Sequence, residues 1–155
     1  MKFNLFWISL IVIAVSFPSI CFSEQPDGRV WEFLGKDGGG SFWYYNKTNL
    51  TRSSDIVSVW TFMTVTGDVR KKMIKRFIKH NIKYQNFDHL KSFNEIDCRK
   101  KLIKEIEFTD YDDQGNVLDK YIYNKSGWNG IVSGSVFEKL YQKVCITQEK
   151  PIKKK

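Results

Sequence analysis

The sequence predicts an α+β fold: an antiparallel β-sheet of about six strands, a basic amphipathic helix inserted mid-chain and a second helix at the C-terminal end. Three observations carry this reading. Short runs rich in Val, Ile and aromatic residues are bounded by Gly, Asn and Asp turns, as in strands joined by hairpins. At Gly67 the apolar spacing switches to one, three and four, the signature of a helix face. Near the end, Ser135-Val136-Phe137-Glu138 fits a capping box, in which the Ser hydroxyl takes an orphan N–H and Glu138 reaches back to Ser135.

Taken in order, Val30 to Leu34 is a short apolar strand. Lys36-Asp37-Gly38-Gly39-Gly40 is a turn, because consecutive glycines reach the positive φ angles of a tight reversal. Ser41 to Asn46 is a second strand, Asn49 to Asp55 a polar loop, and Ile56 to Val65 a β-branched and aromatic central strand. Asp68 caps the following helix. Met73, Ile74, Phe77, Ile78 and Ile82 form its apolar face, and it ends near Tyr84. Strands resume over His89 to Cys98 and Lys101 to Asp110. Asp112-Asp113-Gln114-Gly115-Asn116 turns the chain and Val117 to Tyr123 returns beside it. The last helix runs from Ser135 to about Val144, with Cys145 at its end. Trp31, Phe42, Trp43, Tyr44, Tyr45, Trp60 and Phe62 point to both faces of the sheet, and one helix cannot cover both. An aromatic outer face favours a partner or a homodimer.

The N-terminus sets the compartment. Lys2 precedes an apolar stretch from Leu5 to Val15 broken only by Ser9, and Cys21 and Ser23 supply small residues before Glu24. Residues 1–23 therefore read as a signal peptide cleaved before Glu24. A membrane anchor would need roughly 20 apolar residues, and Pro18 interrupts this run. Acylation at Cys21 is disfavoured by the bulky Ile20 before it. Removing 23 of the 155 residues leaves a single domain of 132, residues 24–155. The expected location is the periplasm, the outer-membrane surface or the extracellular space.

Two cysteines, Cys98 and Cys145, remain after cleavage. In an oxidising compartment such a pair reads as a disulfide, joining the last helix to the end of a strand. Zinc is the rival, but neither cysteine has a second Cys or His at ligand spacing.

Charge is unevenly spread. Residues 70 to 104 hold 12 Lys or Arg against three acids, while the mature domain as a whole carries +7. The sharpest feature is the helix face of Arg70, Lys71, Lys72, Lys75, Arg76, Lys79 and Lys83, which lacks interleaved acids. Such a face attracts an acidic protein or a polyanion: a sulfated glycan, lipopolysaccharide or anionic lipid. A solvated face that keeps a basic protein soluble is the plainer alternative. Nucleic acid would meet the electrostatics, but export argues against it as a physiological partner.

Catalytic and metal motifs are lacking. His80 and His89 are the two histidines, and no nucleophile elbow, His-Glu-x-x-His helix or phosphate loop accompanies them. A calcium loop counted from Asp110 puts Leu118 and Tyr121 at ninth and twelfth positions, which a hairpin turn explains better. Glu105 and Glu107 share a strand face and are expected to pair with lysines across strands. Asn46-Lys47-Thr48, Asn49-Leu50-Thr51 and Asn124-Lys125-Ser126 match a glycosylation pattern by chance, in polar loops. No enzyme activity, cofactor or metal is expected.

One further pattern is ordered along the chain. It comprises Trp31-Glu32-Phe33-Leu34, Tyr44-Tyr45-Asn46, Val57-Ser58-Val59-Trp60 and Glu95-Ile96-Asp97-Cys98 followed by basic residues. Tyr111-Asp112-Asp113-Gln114-Gly115-Asn116-Val117-Leu118 comes next, then Trp128, Ile131, Gly134-Ser135, Glu138, Leu140-Tyr141 and Val144-Cys145. In this set the chain resembles the surface-adhesin protein E-like family of exported bacterial proteins. Asn46 stands where the family usually has Asp, and Ser133 where it usually has Pro. The resemblance implies an antiparallel sheet with a C-terminal helix, bonded cysteines and no enzymatic activity. It also implies an adhesin that binds host matrix and serum proteins. The alternative is a periplasmic or envelope-associated structural protein with no host ligand, since fold does not fix function.

Overall fold

The computed structural model describes residues 26–79 and 81–146. The signal peptide expected over residues 1–23, and His80, lie outside the described residues. The chain forms one curled antiparallel sheet with a short C-terminal helix. Its strands are β1 (Trp31–Lys36), β2 (Phe42–Ser53), β3 (Ile56–Thr64), β4 (Phe87–Asp97), β5 (Leu102–Asp112) and β6 (Val117–Ile122), in that spatial order. A two-residue strand, β7 (Asn129–Gly130), pairs with β5. Helix α1 (Gly67–Phe77) and a 3-10 turn (Ile82–Asn86) follow β3, and α2 (Val136–Tyr141) continues into a π-helical turn (Gln142–Ile146).

The period of two along β3 sorts the residues by face. Val57, Val59, Thr61 and Met63 pair with Ile96, Asn94, Ser92 and Leu90. Both helices cover this side. Leu140, Val144 and Cys145 pack with Leu34, Tyr45, Val57, Val59 and Ile96 beneath α2. Val69, Met73, Ile74 and Phe77 of α1 pack with Met63, Val65, Tyr84 and Phe87. The other face carries Trp31, Phe33, Tyr44, Trp60, Phe62, Phe93 and Tyr111. There Phe62 and His89 are almost fully buried. Their cover is mutual: their rings stack at 4.7 Å, with Trp31 at 5.5 Å and Tyr44 at 6.1 Å from Phe62. Tyr111 stacks on the far side of His89 at 4.8 Å.

Four expectations need correction. The polar segment from Asn49 is strand rather than loop, because β2 continues to Ser53 after a register shift between Tyr45 and Leu50. Asn46 organises that shift, its side-chain Oδ1 accepting from the Thr48 N–H, the Thr48 hydroxyl and the Asn49 N–H. Helix α1 starts from Thr66 with no side-chain cap, so Asp68 lies in the first turn and not at the cap. There its charge favours the helix N-terminus. The helix ends at Phe77, not near Tyr84, because the Asn81 side chain accepts from the Lys83 N–H and starts a separate 3-10 turn. Ile82 consequently points to solvent, 66% exposed.

At the C-terminal helix, Ser135 caps as expected, its Oγ accepting from the Glu138 N–H at 3.2 Å. The return contact differs. Glu138 accepts from the Gly134 N–H at 2.7 Å and the Ser133 hydroxyl at 3.2 Å, while the Ser135 N–H donates to the Val132 carbonyl. Cys98 and Cys145 form the disulfide, with Cα atoms 5.5 Å apart.

Candidate functional site

The basic segment divides into two halves with different fates. Along α1, the apolar residues Val69, Met73, Ile74 and Phe77 face the sheet, which turns the intervening cations outward. Lys71, Lys72, Lys75, Arg76, Lys79 and Lys83 are all exposed. Lys71 lies 3.5 Å from the exposed carboxylate of Asp68. Among the described residues no carboxylate lies within 4.0 Å of Lys72, Lys75, Arg76, Lys79 or Lys83. Lys79 and Lys83 sit beyond the end of α1, so the patch spans the helix and the following 3-10 turn.

Arg70 does not belong to this surface. Its Nε donates to the Phe87 carbonyl at 2.9 Å, and its terminal nitrogens lie 3.6 Å from Asp88 and 3.9 Å from Asp113. It ties α1 to the start of β4. Three cations of the strand half are paired in a similar way. Lys104 pairs with Glu95 at 2.7 Å, Lys101 with Glu138 at 2.5 Å and Arg99 with Asp55 at 3.5 Å. Lys91 lies on the aromatic face, 5.7 Å above the Phe62 ring and 5.0 Å above Tyr111. Among the described residues, the largest uncompensated group in this segment is at the α1 end, with Lys91 and Lys100 also lacking a carboxylate partner. Such an array presents cations with few competing anions, which suits a polyanion.

Other residues singled out from the sequence have structural employment. His89 is buried in the aromatic stack, with Asp88 at 3.1 Å from its Nδ1. The Asp112 carboxylate accepts from the Gln114 and Asn116 N–H groups and the Asn116 amide, which builds the β5–β6 turn in place of a calcium loop. Glu107 pairs with Lys120 at 2.8 Å, as cross-strand pairing predicts. Glu105 does not join it on one face. A bulge sets Glu107 opposite Phe93 but Glu105 opposite Asn94, on the helix-bearing side. Burial raises the Glu105 carboxyl above its usual range, with the Tyr123 phenol and the Ser92 hydroxyl facing it. Nothing in the period-two pattern reveals this, because the bulge breaks the period.

The family model described as surface-adhesin protein E matches residues 31–146. Among solved structures, the chain is similar to Haemophilus influenzae protein E, at 10% sequence identity and a TM-score of 0.50. That match covers 79% of this chain and 88% of the other, and it speaks to the fold. No curated protein matches the sequence. Among the described residues, no helix is long and apolar enough to cross a membrane.

Proposed function

Because the chain belongs to the surface-adhesin protein E family, we propose that it is an exported, non-enzymatic binding protein whose α1 end captures polyanionic or acidic ligands. Family membership carries the adhesin-like character and the exported location. The ligand class rests on one observation: Lys72, Lys75, Arg76, Lys79 and Lys83 are exposed side by side with no carboxylate within 4.0 Å among the described residues, whereas Lys101, Lys104, Lys120 and Lys143 are each paired with a glutamate. A face kept only for solubility would gain from interleaved acids, each adding about 0.2–0.5 kcal/mol of helix stability. Here that stabilisation is forgone. Candidate ligands are a sulfated glycan, lipopolysaccharide, anionic lipid or an acidic protein surface.

The test is elution from immobilised heparin at defined salt, for the native protein and a Lys72→Ser, Lys75→Ser, Arg76→Ser, Lys79→Ser variant. The variant elutes at clearly lower salt. Equal elution would sink the proposal. A second surface supports self-association: the aromatic face opposite the helices, where Phe33 is 52% exposed and Trp60 and Phe93 pack at 5.1 Å. Light scattering over a concentration series reads out the homodimer, and monomer throughout would dispose of it.

A further inference from the structure

Away from α1, the bulge in β5 has a consequence for binding. Thr61, Ser92 and Asn94 lie between the two apolar clusters of the helix-bearing face, at 0%, 1% and 2% exposure. They satisfy one another, with the Asn94 amide donating to Thr61 at 3.1 Å and to the Ser92 hydroxyl at 3.0 Å. Glu105, set opposite Asn94 by the bulge, extends this polar seam towards the surface. There it opens into a cleft of about 300 Å³, lined by Glu105, Tyr123, Lys125, Ser126, Gly127 and Asn129.

The cleft is built into the fold. Pairing of Ile103 with Asn129 and Leu102 with Gly130 holds the returning segment beside β5. Tyr123 gives one side an aromatic wall and is packed edge-on by Tyr121 at 4.6 Å. Gly127 leaves open space, since a Cβ there would meet nothing within 4 Å.

We propose that this cleft binds a small zwitterion, a ligand with one ammonium and one carboxylate group, such as a free amino acid or dipeptide. Its two ionic groups are of opposite sign and do not neutralise each other: among the described residues, neither Glu105 nor Lys125 has an oppositely charged side chain within 4.0 Å. Burial already penalises the Glu105 carboxylate, and a ligand ammonium would relieve that penalty. Lys125 is exposed at the rim and would meet the ligand carboxylate. A purely anionic ligand meets Glu105 unfavourably and a purely cationic one meets Lys125. A neutral ligand matches neither. The Ser126 hydroxyl and Asn129 carboxamide supply the remaining donors and acceptors. The volume, at the low end for small-molecule sites, limits the ligand's size.

Calorimetric titration of the whole protein tests this with three probes: glycylglycine, N-acetylglycylglycine without the ammonium, and glycylglycine amide without the carboxylate. Glycylglycine binds, and each blocked form binds about tenfold or more weakly, as loss of one charge-assisted hydrogen bond implies. Glu105→Gln weakens glycylglycine and the amide but does not weaken the acetylated probe, whose repulsion from Glu105 it removes. Lys125→Ser weakens glycylglycine and the acetylated probe but does not weaken the amide, whose repulsion from Lys125 it removes. Lys125 is exposed, so its variant folds even if the Glu105 variant does not. No binding by glycylglycine at millimolar concentration overturns the proposal. So does equal binding of all three probes, or a Lys125→Ser protein that binds them as the native chain does.

Discussion

The Arg52 guanidinium donates to the Val144 carbonyl at 2.6 Å, bringing together residues 92 apart in sequence. The same side chain lies 3.9 Å from Cys98 Sγ. It therefore holds the π-helical turn against β2 at the point where the disulfide holds it against the end of β4. Tyr141 donates to the Cys98 carbonyl at 3.0 Å, and Lys101 pairs with Glu138 at 2.5 Å. The C-terminal helix is thus docked by a covalent bond and by an independent set of noncovalent contacts.

That redundancy makes the effect of the disulfide separable. Replacing Cys98 and Cys145 by Ser releases a link spanning 47 residues, which costs about 4 kcal/mol on the chain-entropy account. The helix stays docked below the unfolding transition, because Arg52, Tyr141 and Glu138 keep their partners. Urea unfolding followed by near-ultraviolet circular dichroism reads both effects. Loss of the native aromatic signal without denaturant would show that the noncovalent set does not suffice.

Leu140 is the buried anchor of that helix, with 0% exposure among Leu34, Val57, Val59 and Ile96. Leu140→Ala leaves a cavity between helix and sheet and is expected to cost about 2–5 kcal/mol. The denaturant midpoint falls while the slope is unchanged. A loss well under 1 kcal/mol would mean that the helix packs less tightly than the burial indicates.

Arg70 and Arg76 look alike in the sequence yet answer different tests. Arg70→Ala removes charge-assisted contacts to the Phe87 carbonyl and Asp88, a loss of about 1.5–3 kcal/mol in stability. Arg76→Ala, on the exposed face, changes stability within about 0.5 kcal/mol. On immobilised heparin the order reverses, with Arg76→Ala eluting earlier than Arg70→Ala. Identical profiles in both assays would erase the distinction.

These contrasts mark where the sequence was readable. The strands around Val57–Met63 and Ile96 declared themselves through β-branched and aromatic alternation, and Ser135 declared the last helix through its cap. The second half of β2 did not, since Thr48, Asn49, Thr51 and Ser53 are polar and exposed; Leu50 and Arg52 hold it by contacts made only in the fold. Net charge was legible, but its cancellation was not. Glu95, Glu138 and Asp88 reach Lys104, Lys101 and Arg70 through register and packing that no local pattern encodes. The placement of Glu105 needed the bulge opposite Asn94.

Two carboxylates should give stability opposite dependences on pH. The Lys101 ammonium, followed by the Gly134 N–H, holds the Glu138 carboxyl down to about 2 from its ordinary value of 4.5. The stability this contributes is present above the unfolded value and is lost as pH falls from 4.5 towards about 2. Asp110 is shifted the other way. Burial raises its carboxyl and Asp119 adds to the rise, while the Tyr84 hydroxyl, donating at 2.7 Å, partly offsets it. A raised carboxyl favours the protonated native state, so its contribution is present below the unfolded value and is lost as pH rises through the folded one. Glu138→Gln therefore lowers the urea midpoint at neutral pH and converges with the native protein near pH 2. Asp110→Asn keeps an oxygen for Tyr84 but removes the buried charge, so it raises the midpoint at neutral pH and loses that advantage in acid. Midpoints measured from pH 2 to 7 decide both, and a Glu138→Gln deficit that is the same at every pH would show that Lys101 does not act through the carboxylate charge.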